Sequence, residues 1–193
     1  MRVVADLRLK YFSRFPSRDG VLNMFVNGSS NLYEYEELKG YISDLPEPLV
    51  PDISDYVFGQ RFDDVKKRVD SLTGTYLFCD FGEIQSSQDN IGSIQDTHKR
   101  AITVAVKLGN KSDMVEVAIQ SDRTLSLLNE VRAYMILDSR NMSWLKTISE
   151  SQTIVPFVAP ELSSIGWSMS FVASASDWMN VKDITKHINS NRK

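Results

Sequence analysis

Hydrophobic residues recur at helical spacing in two long stretches of the chain. In the first, over residues 54–72, the apolar positions are Phe58, Phe62, Val65, Val69 and Leu72. The second begins at Asp113, and Glu116 three positions later completes a capping box. This spacing predicts helices over 54–72 and 113–138, the second with one break near Ser121.

Alternation of apolar with small or polar residues predicts the strands. It is clearest around Ile102 and Val104 and again around Trp167 and Met169. Strands are predicted at residues 75–81, 98–108, 153–158 and 165–172. Pro156 cannot donate a hydrogen bond to a neighbouring strand, so the third of these is expected at a sheet edge.

The first fifty residues follow a less regular pattern. They predict a short helix near Tyr11, an isolated strand at 21–26, and a helix that begins at Ser30 or Asn31 and runs through Ile42. Three prolines between Leu45 and Pro51 then predict a stiff, extended connector.

Together these elements predict an α+β fold. We expect a mainly antiparallel sheet with helices packed on one face, preceded by an extended N-terminal arm. The predicted parts are an arm and proline-rich connector at 1–52, a core at 53–180 and a basic tail at 181–193.

Composition narrows the class of protein. The chain has 193 residues, a net charge of -3 and one cysteine, Cys79, which excludes an internal disulfide framework and a four-cysteine zinc site. No apolar run approaches the ~18 residues of a membrane span, and we expect no export signal. Residues 1–20 and 182–193 are each basic by three charges, whereas the segments between them are acidic. The basic ends are therefore expected to contact an acidic neighbour, such as the body of another copy or nucleic acid, or to be simply solvated.

Candidate catalytic groups are few. Cys79 and His98 could form a thiolate and base pair, but a cysteine inside an apolar strand is usually an inert thiol. Two histidines, His98 and His187, are too few for a typical metal site, and no glycine-rich phosphate loop is present. We therefore expect no catalytic residue, no cofactor and no metal, and a protein that is not an enzyme.

The N-terminal segment combines basic and aromatic residues, which are the usual anchors of protein interfaces. A nucleic-acid partner is less favoured, because the acidic body would repel phosphates. Two tryptophans beside predicted turns are further candidate anchors. The predicted partner contacts here are Arg2, Arg8, Tyr11, Phe12, Arg14, Phe15, Trp144 and Trp178.

The order of predicted elements resembles that of bacteriophage tail-terminator and head-to-tail connector proteins. It runs helix 54–72, strand 75–81, polar loop, strand 98–108, capped helix 113–138, and closing strands that end at 165–172. The resemblance implies an antiparallel sheet flanked by helices and copies joined in a ring around a DNA channel. It also implies that the long polar hairpin loop at 84–97 reaches a neighbour or the channel. The contact residues implied in that loop are Gln85, Asn90 and Gln95.

The first fifty residues have no counterpart in the compact members of this family. A longer chain of this type is similar to ring proteins in the neck of short-tailed, crAss-like phages, where such arms clasp adjacent rings. The expected function is a structural virion protein, located in the virion, that forms a six- or twelve-fold homo-oligomeric ring. The ring would join the portal or adaptor to tail components, DNA would pass without sequence-specific binding, and no membrane would be involved.

One alternative function stays open at this point. The chain could be a small cytoplasmic enzyme or ligand-binding domain with a pocket between the sheet and the 113–138 helix. Asp80 or Glu83 would then be its polar anchor.

Overall fold

The computed structural model describes residues 6–26, 28–88, 94–109 and 113–176. Within them lie six strands: β1 (Asp55–Phe58), β2 (Thr75–Cys79), β3 (Glu83–Gln88), β4 (Ile94–Lys107), β5 (Gln152–Ala159) and β6 (Ser164–Ser176). The α-helices are α1 (Arg18–Leu22), α2 (Tyr33–Ser43), α3 (Phe62–Asp70) and α4 (Met114–Asp138). A π-helical turn lies at Asp6–Tyr11, and 3-10 turns lie at Phe12–Arg14, Ser143–Ser149 and Pro160–Leu162.

The strands form one sheet in the order β1-β2-β4-β6-β5, and β3 pairs with β4 beside this path. Only β1 and β2 are parallel among the strand pairs of the described residues. Strands β4 and β6 are the longest partners, from Gln95 opposite Ser176 to Lys107 opposite Ser164. The predicted α+β class with a mainly antiparallel sheet is confirmed, and β5, which contains Pro156, lies at the predicted edge.

Apolar side chains form two core clusters on opposite faces of the sheet. In the first cluster, Leu128 and Met135 of α4 pack with Val104 of β4. In the second, Val69 of α3 packs with Ala105, the next residue of β4. Because successive strand residues point to opposite faces, the clusters lie on different sides of the sheet. Most of the helical segments pack on the face of the first, larger cluster. Helix α3 covers one end of the opposite face.

The N-terminal segment packs into the first cluster, which differs from the predicted extended arm. Phe12, Phe15 and Val21 are each 0% exposed. The segment is also tied to the body by backbone hydrogen bonds, since the Ser17 N–H donates to Ile53 O at 2.8 Å. The strand predicted at 21–26 is wrong, because Val21 belongs to α1. Here the backbone comes so close to β1 that a Cβ on Gly20 would lie 2.0 Å from the Ser54 carbonyl oxygen.

The helix predicted over 54–72 divides into β1 and α3, with Gly59 between them. Phe58 pairs with Cys79 in the sheet, and Phe62 begins α3. Tyr56 and Val57 are both buried, one in each core cluster, so this short strand carries no alternation of polar and apolar residues. Phe58, the first apolar position of the predicted helix, therefore matches the helical spacing only by coincidence.

The polar loop predicted at 84–97 is largely a β-hairpin made of β3 and the first part of β4. Its β3 residues from Glu83 to Ser87 are exposed, so no apolar face marks the strand in the sequence. The predicted helix at 113–138 is confirmed as α4, but it continues through Ser121 without the predicted break. The side chain of Asp113 caps it by accepting hydrogen bonds from the Val115 and Glu116 N–H groups.

Candidate functional site

Four of the predicted partner contacts are buried in the core of their own chain. Arg8 is 1% exposed, Tyr11 6%, and Phe12 and Phe15 0%. A side chain at this depth in the folded subunit has no surface to offer a partner. Their contacts are therefore intramolecular, and the prediction that they anchor a partner does not fit this packing.

Arg14 and Trp144 also make contacts within the chain. Arg14 Nη2 lies 2.7 Å from Asp138 Oδ2 at the end of α4, and Tyr11 donates to the same carboxylate oxygen at 2.9 Å. The Trp144 ring packs edge-on against Tyr11 with a centroid distance of 5.0 Å. These residues dock the N-terminal segment on α4, and Arg14 keeps a side-chain exposure of 26%.

The remaining predicted contacts concern the hairpin and the ends of the chain. Gln85 is exposed on β3 opposite Thr97, and Gln95 lies in β4 between Ser87 of β3 and Ser176 of β6. Arg2, Asn90 and Trp178 lie outside the described residues.

A buried polar cluster lies where β2 ends and the hairpin begins. Arg8 donates from Nε to the Asp80 carbonyl oxygen at 3.1 Å, and its guanidinium lies 3.8 Å from the centroid of the Phe81 ring. The Asp80 carboxylate accepts the Ala101 N–H at 3.0 Å. At this position the carbonyl oxygen of Asp80 accepts from Arg8, and the side chain of Asp80 is the acceptor for the Ala101 N–H of β4.

A second buried arginine extends this cluster. Arg100 is 5% exposed, and its Nη2 donates to His98 Nδ1 at 2.9 Å. A guanidinium has no acceptor, so Nδ1 of His98 is the acceptor and its ring proton lies on Nε2. Nε and Nη1 of Arg100 are buried without a hydrogen-bond partner. Burial first, and then the nearby charge of Arg8, lowers the pKa of Arg100.

Cys79 is completely enclosed by this cluster and the core. Burial raises the pKa of its thiol to about 12, so the thiol stays protonated at neutral pH. His98 directs Nδ1 to Arg100. This arrangement favours an inert thiol over the thiolate and base pair. Burial also raises the pKa of Tyr56, whose hydroxyl donates to the Arg8 carbonyl oxygen at 2.6 Å.

The buried polar cluster fixes the base of the hairpin. Gly82 has a φ of +63°, and a Cβ there would lie 2.3 Å from the Lys99 carbonyl oxygen. The chain can therefore turn from β2 into β3 only with glycine at this position. Arg8 on one side and Asp80 on the other tie this turn to the N-terminal segment and to β4.

Beyond this base, three strands continue as a narrow ribbon. Strand β5 pairs with β6 only as far as Phe171, and β2 pairs with β4 only from Ile102. The ribbon consists of β3, the start of β4 and the end of β6. Five β4–β6 residue pairs, from Lys99 opposite Val172 to Gln95 opposite Ser176, extend it by roughly 16 Å at ~3.3 Å per residue. Ile84 is 55% exposed on it.

The surface cavities among the described residues include three that bear on function. One of about 480 Å³ lies over the end of the sheet and includes Asp80 and Glu83 in its wall. Another of about 580 Å³ lies between α4 and the sheet and includes Arg123 and Asp52. A third of about 300 Å³ lies beside α3 and has mostly apolar walls. The pocket between sheet and helix thus exists, but Asp80 and Glu83 are not in it.

The burial of Arg8 and Arg100 and the apolar cavity were not predicted from the sequence. In the sequence, Arg100 alternates with Lys99 as a strand residue, and its position opposite Phe171 is set only by the β4–β6 register. One signal in the sequence does indicate this burial. Arg100 lies two positions before Ile102 and four before Val104, so the alternation of a strand places all three side chains on the same face of the sheet.

Within the described residues, no cluster of three or more potential metal ligands is present, and no helix combines the length and apolar character of a membrane span. A comparison of the chain with protein-family models, curated proteins and solved structures finds no match.

Proposed function

We propose that the chain is a non-enzymatic structural subunit that assembles with its own copies into a ring. The place of that ring is the head-to-tail connector or neck of a phage virion, between the portal or adaptor and tail components. DNA passes through its channel without sequence-specific contacts. The proposal combines the resemblance in element order with the geometry of the hairpin.

The ribbon is the observation on which this proposal depends. Strand β3 supplies no residue to either core cluster, and its exposed residues from Glu83 to Ser87 are mainly polar. The buried polar cluster nevertheless fixes the base of the hairpin. Such an element is suited to contact a neighbouring subunit or line a channel, because its base is fixed and the β3 side chains from Glu83 to Ser87 are accessible.

Mass measurement of the native full chain tests the proposal. We expect a closed oligomer in native mass spectrometry and six- or twelve-fold class averages in electron microscopy. A variant in which residues 85–95 are replaced by a two-residue turn should keep its far-UV circular dichroism but lose the oligomer. A wild-type chain that stays monomeric at high concentration would contradict the proposal.

The cavity between α4 and the sheet supports the alternative function, a ligand-binding domain. Its wall carries opposite charges on Arg123 and Asp52 together with the hydroxyl groups of Ser54, Thr73 and Thr75. A small polar ligand would be held there by hydrogen bonds. Thermal-shift screening of polar metabolites tests it: the alternative predicts a stabilising ligand whose effect is lost in Arg123→Ala.

A further inference from the structure

We call the apolar cavity of about 300 Å³ beside α3 the socket. Its walls come from α3, the neighbouring strands and the Pro160–Leu162 turn. Apolar wall residues are Phe62, Val65, Val69, Phe78, Phe157, Ala159 and Leu162. Phe62 is 52% exposed at the first position of α3. Filling this cavity with apolar side chains would remove that surface from water, which is favourable.

The first two turns of α4 carry exposed apolar side chains, which we call the projection. Met114 is 89% exposed, Val115 67% and Ile119 49%. Val115 and Ile119 are four positions apart, so they lie on the same side of the helix. The Asp113 cap holds this end in helical form already, so little ordering would be needed on binding.

The socket and the projection lie on opposite faces of the sheet. The socket belongs to the second core cluster, whereas α4 packs on the first. A contact that joins two different patches on two copies is heterologous, and it generates a ring when the rotation closes.

The socket wall carries one basic and one acidic side chain, Arg61 and Glu161, and the basic one is available to the acidic Glu116 of α4. Arg61 lies at the socket with a side-chain exposure of 77%, and its contact with Asp64 is a 3.7 Å surface pair. Glu116 is exposed between Val115 and Ile119, with no ion-pair partner among the described residues. Surface pairs contribute little, so Arg61 can exchange Asp64 for Glu116 at low cost.

On the basis of the self-association proposed above, we propose that the socket binds the first two turns of α4 from a second copy of this chain. Met114, Val115 and Ile119 supply the apolar contact, and Arg61 pairs with Glu116. The same contact repeated around an axis closes the ring. Each subunit uses its socket for one neighbour and its helix end for the other.

The double variant Val115→Ser/Ile119→Ser tests the projection. Both side chains are exposed, so the fold should be retained, as checked by circular dichroism and melting temperature. Loss of two apolar contacts should raise the dissociation constant by roughly 100-fold or more in sedimentation equilibrium. The matched control is Leu32→Ser/Tyr33→Ser on another exposed apolar patch, where the wild-type side chains are 66% and 79% exposed. This control should leave the dissociation constant unchanged.

A charge exchange tests the pairing separately. Arg61→Glu and Glu116→Arg should each weaken assembly, and the chain that carries both should regain it, because every interface again joins opposite charges. If the oligomer persists undiminished in Val115→Ser/Ile119→Ser, the socket contact is wrong while the ring proposal stands. Loss of assembly in the Leu32 and Tyr33 control alone would place the interface at that patch and also overturn the socket contact. A wild-type monomer would overturn both proposals.

Discussion

Replacement of Arg100 by methionine tests how the buried polar cluster contributes to stability. Among the described side chains, the cluster places two guanidinium groups, Arg8 and Arg100, near one carboxylate, Asp80. Nε and Nη1 of Arg100 lack hydrogen-bond partners, and each such buried group costs about 1–3 kcal/mol. Methionine keeps much of the apolar stem and removes both unpaired groups and the repulsion from Arg8.

The loss to be set against this gain is the contact of Arg100 with His98. Without Arg100, His98 Nδ1 loses a 2.9 Å hydrogen bond, at a cost of about 1–3 kcal/mol. The variant also loses the attraction between Arg100 and the Asp80 carboxylate. The two unpaired groups and the repulsion from Arg8 still outweigh these losses, so we expect Arg100→Met to raise the free energy of unfolding by about 1 kcal/mol. In thermal unfolding this corresponds to roughly 2–4 °C per kcal/mol for a chain of this size.

Arg8→Met is the matched control, because it removes the other buried guanidinium. Arg8 has a hydrogen bond to Asp80 and a stacking contact with Phe81, so its loss should lower the free energy of unfolding by about 2–4 kcal/mol. Urea titrations followed by tryptophan fluorescence would measure both variants. If Arg100→Met destabilises the chain as much as Arg8→Met, then native interactions offset the cost of burying the Arg100 guanidinium, and the reasoning fails.

Three further predictions concern the core, the thiol and the long helix. Phe12→Ala should cost about 3–5 kcal/mol in urea titrations, because the side chain is 0% exposed; a cost below ~1 kcal/mol would restore the picture of a detachable arm. Cys79 should resist a thiol reagent at pH 8 until the chain unfolds. Burial raises the pKa of the Cys79 thiol from 9.0 to about 12, so the free energy of unfolding should fall as the pH rises from 9 towards 12. Cys79→Ala should reduce this dependence on pH. Rapid modification of the thiol in the native chain would contradict its burial. Asp113→Ala should cost about 1 kcal/mol in the same titrations through loss of the α4 cap, and Asp113→Asn much less; equal losses would point to charge and not to capping.

Sequence patterns predicted the elements whose residue pattern is periodic over many positions. Helix α4 packs one face on the core at helical spacing, and in strand β4 apolar residues alternate with small or polar ones although Val104 and Ala105 are buried on opposite faces of the sheet. The prediction failed for the four-residue strand β1 and for the exposed strand β3. Tyr56 and Val57 are both buried, so β1 was read as part of a helix, and the exposed residues of β3 were read as a loop.

The candidate site was harder to predict for a related reason. Gln85 was predicted as a contact to a neighbour or the channel; it is exposed on the hairpin, and its role as a contact stays a prediction. By contrast, the apolar cavity depends on Val65, Phe78 and Phe157 meeting from three separate elements. Their sequence separation leaves no local pattern, and only the sheet order brings them together. Met114 at the start of α4 is an apolar residue like those of the buried helix positions, so the sequence does not show that it is exposed.

Charge counted along the chain says little about where that charge lies in the fold. The basic N-terminal segment was predicted to reach for an acidic neighbour, yet Arg8 is buried beneath the hairpin and Arg14 pairs with Asp138 of the same chain. Arg8 therefore offers no accessible charge to another copy, and Arg14 is already paired within its own chain. The charges that remain accessible, such as Arg61 and Glu116, lie on different elements and flank apolar surface. If copies of this chain do associate, short-range packing with local charge pairing at those elements accounts for it better than attraction between basic ends and an acidic body.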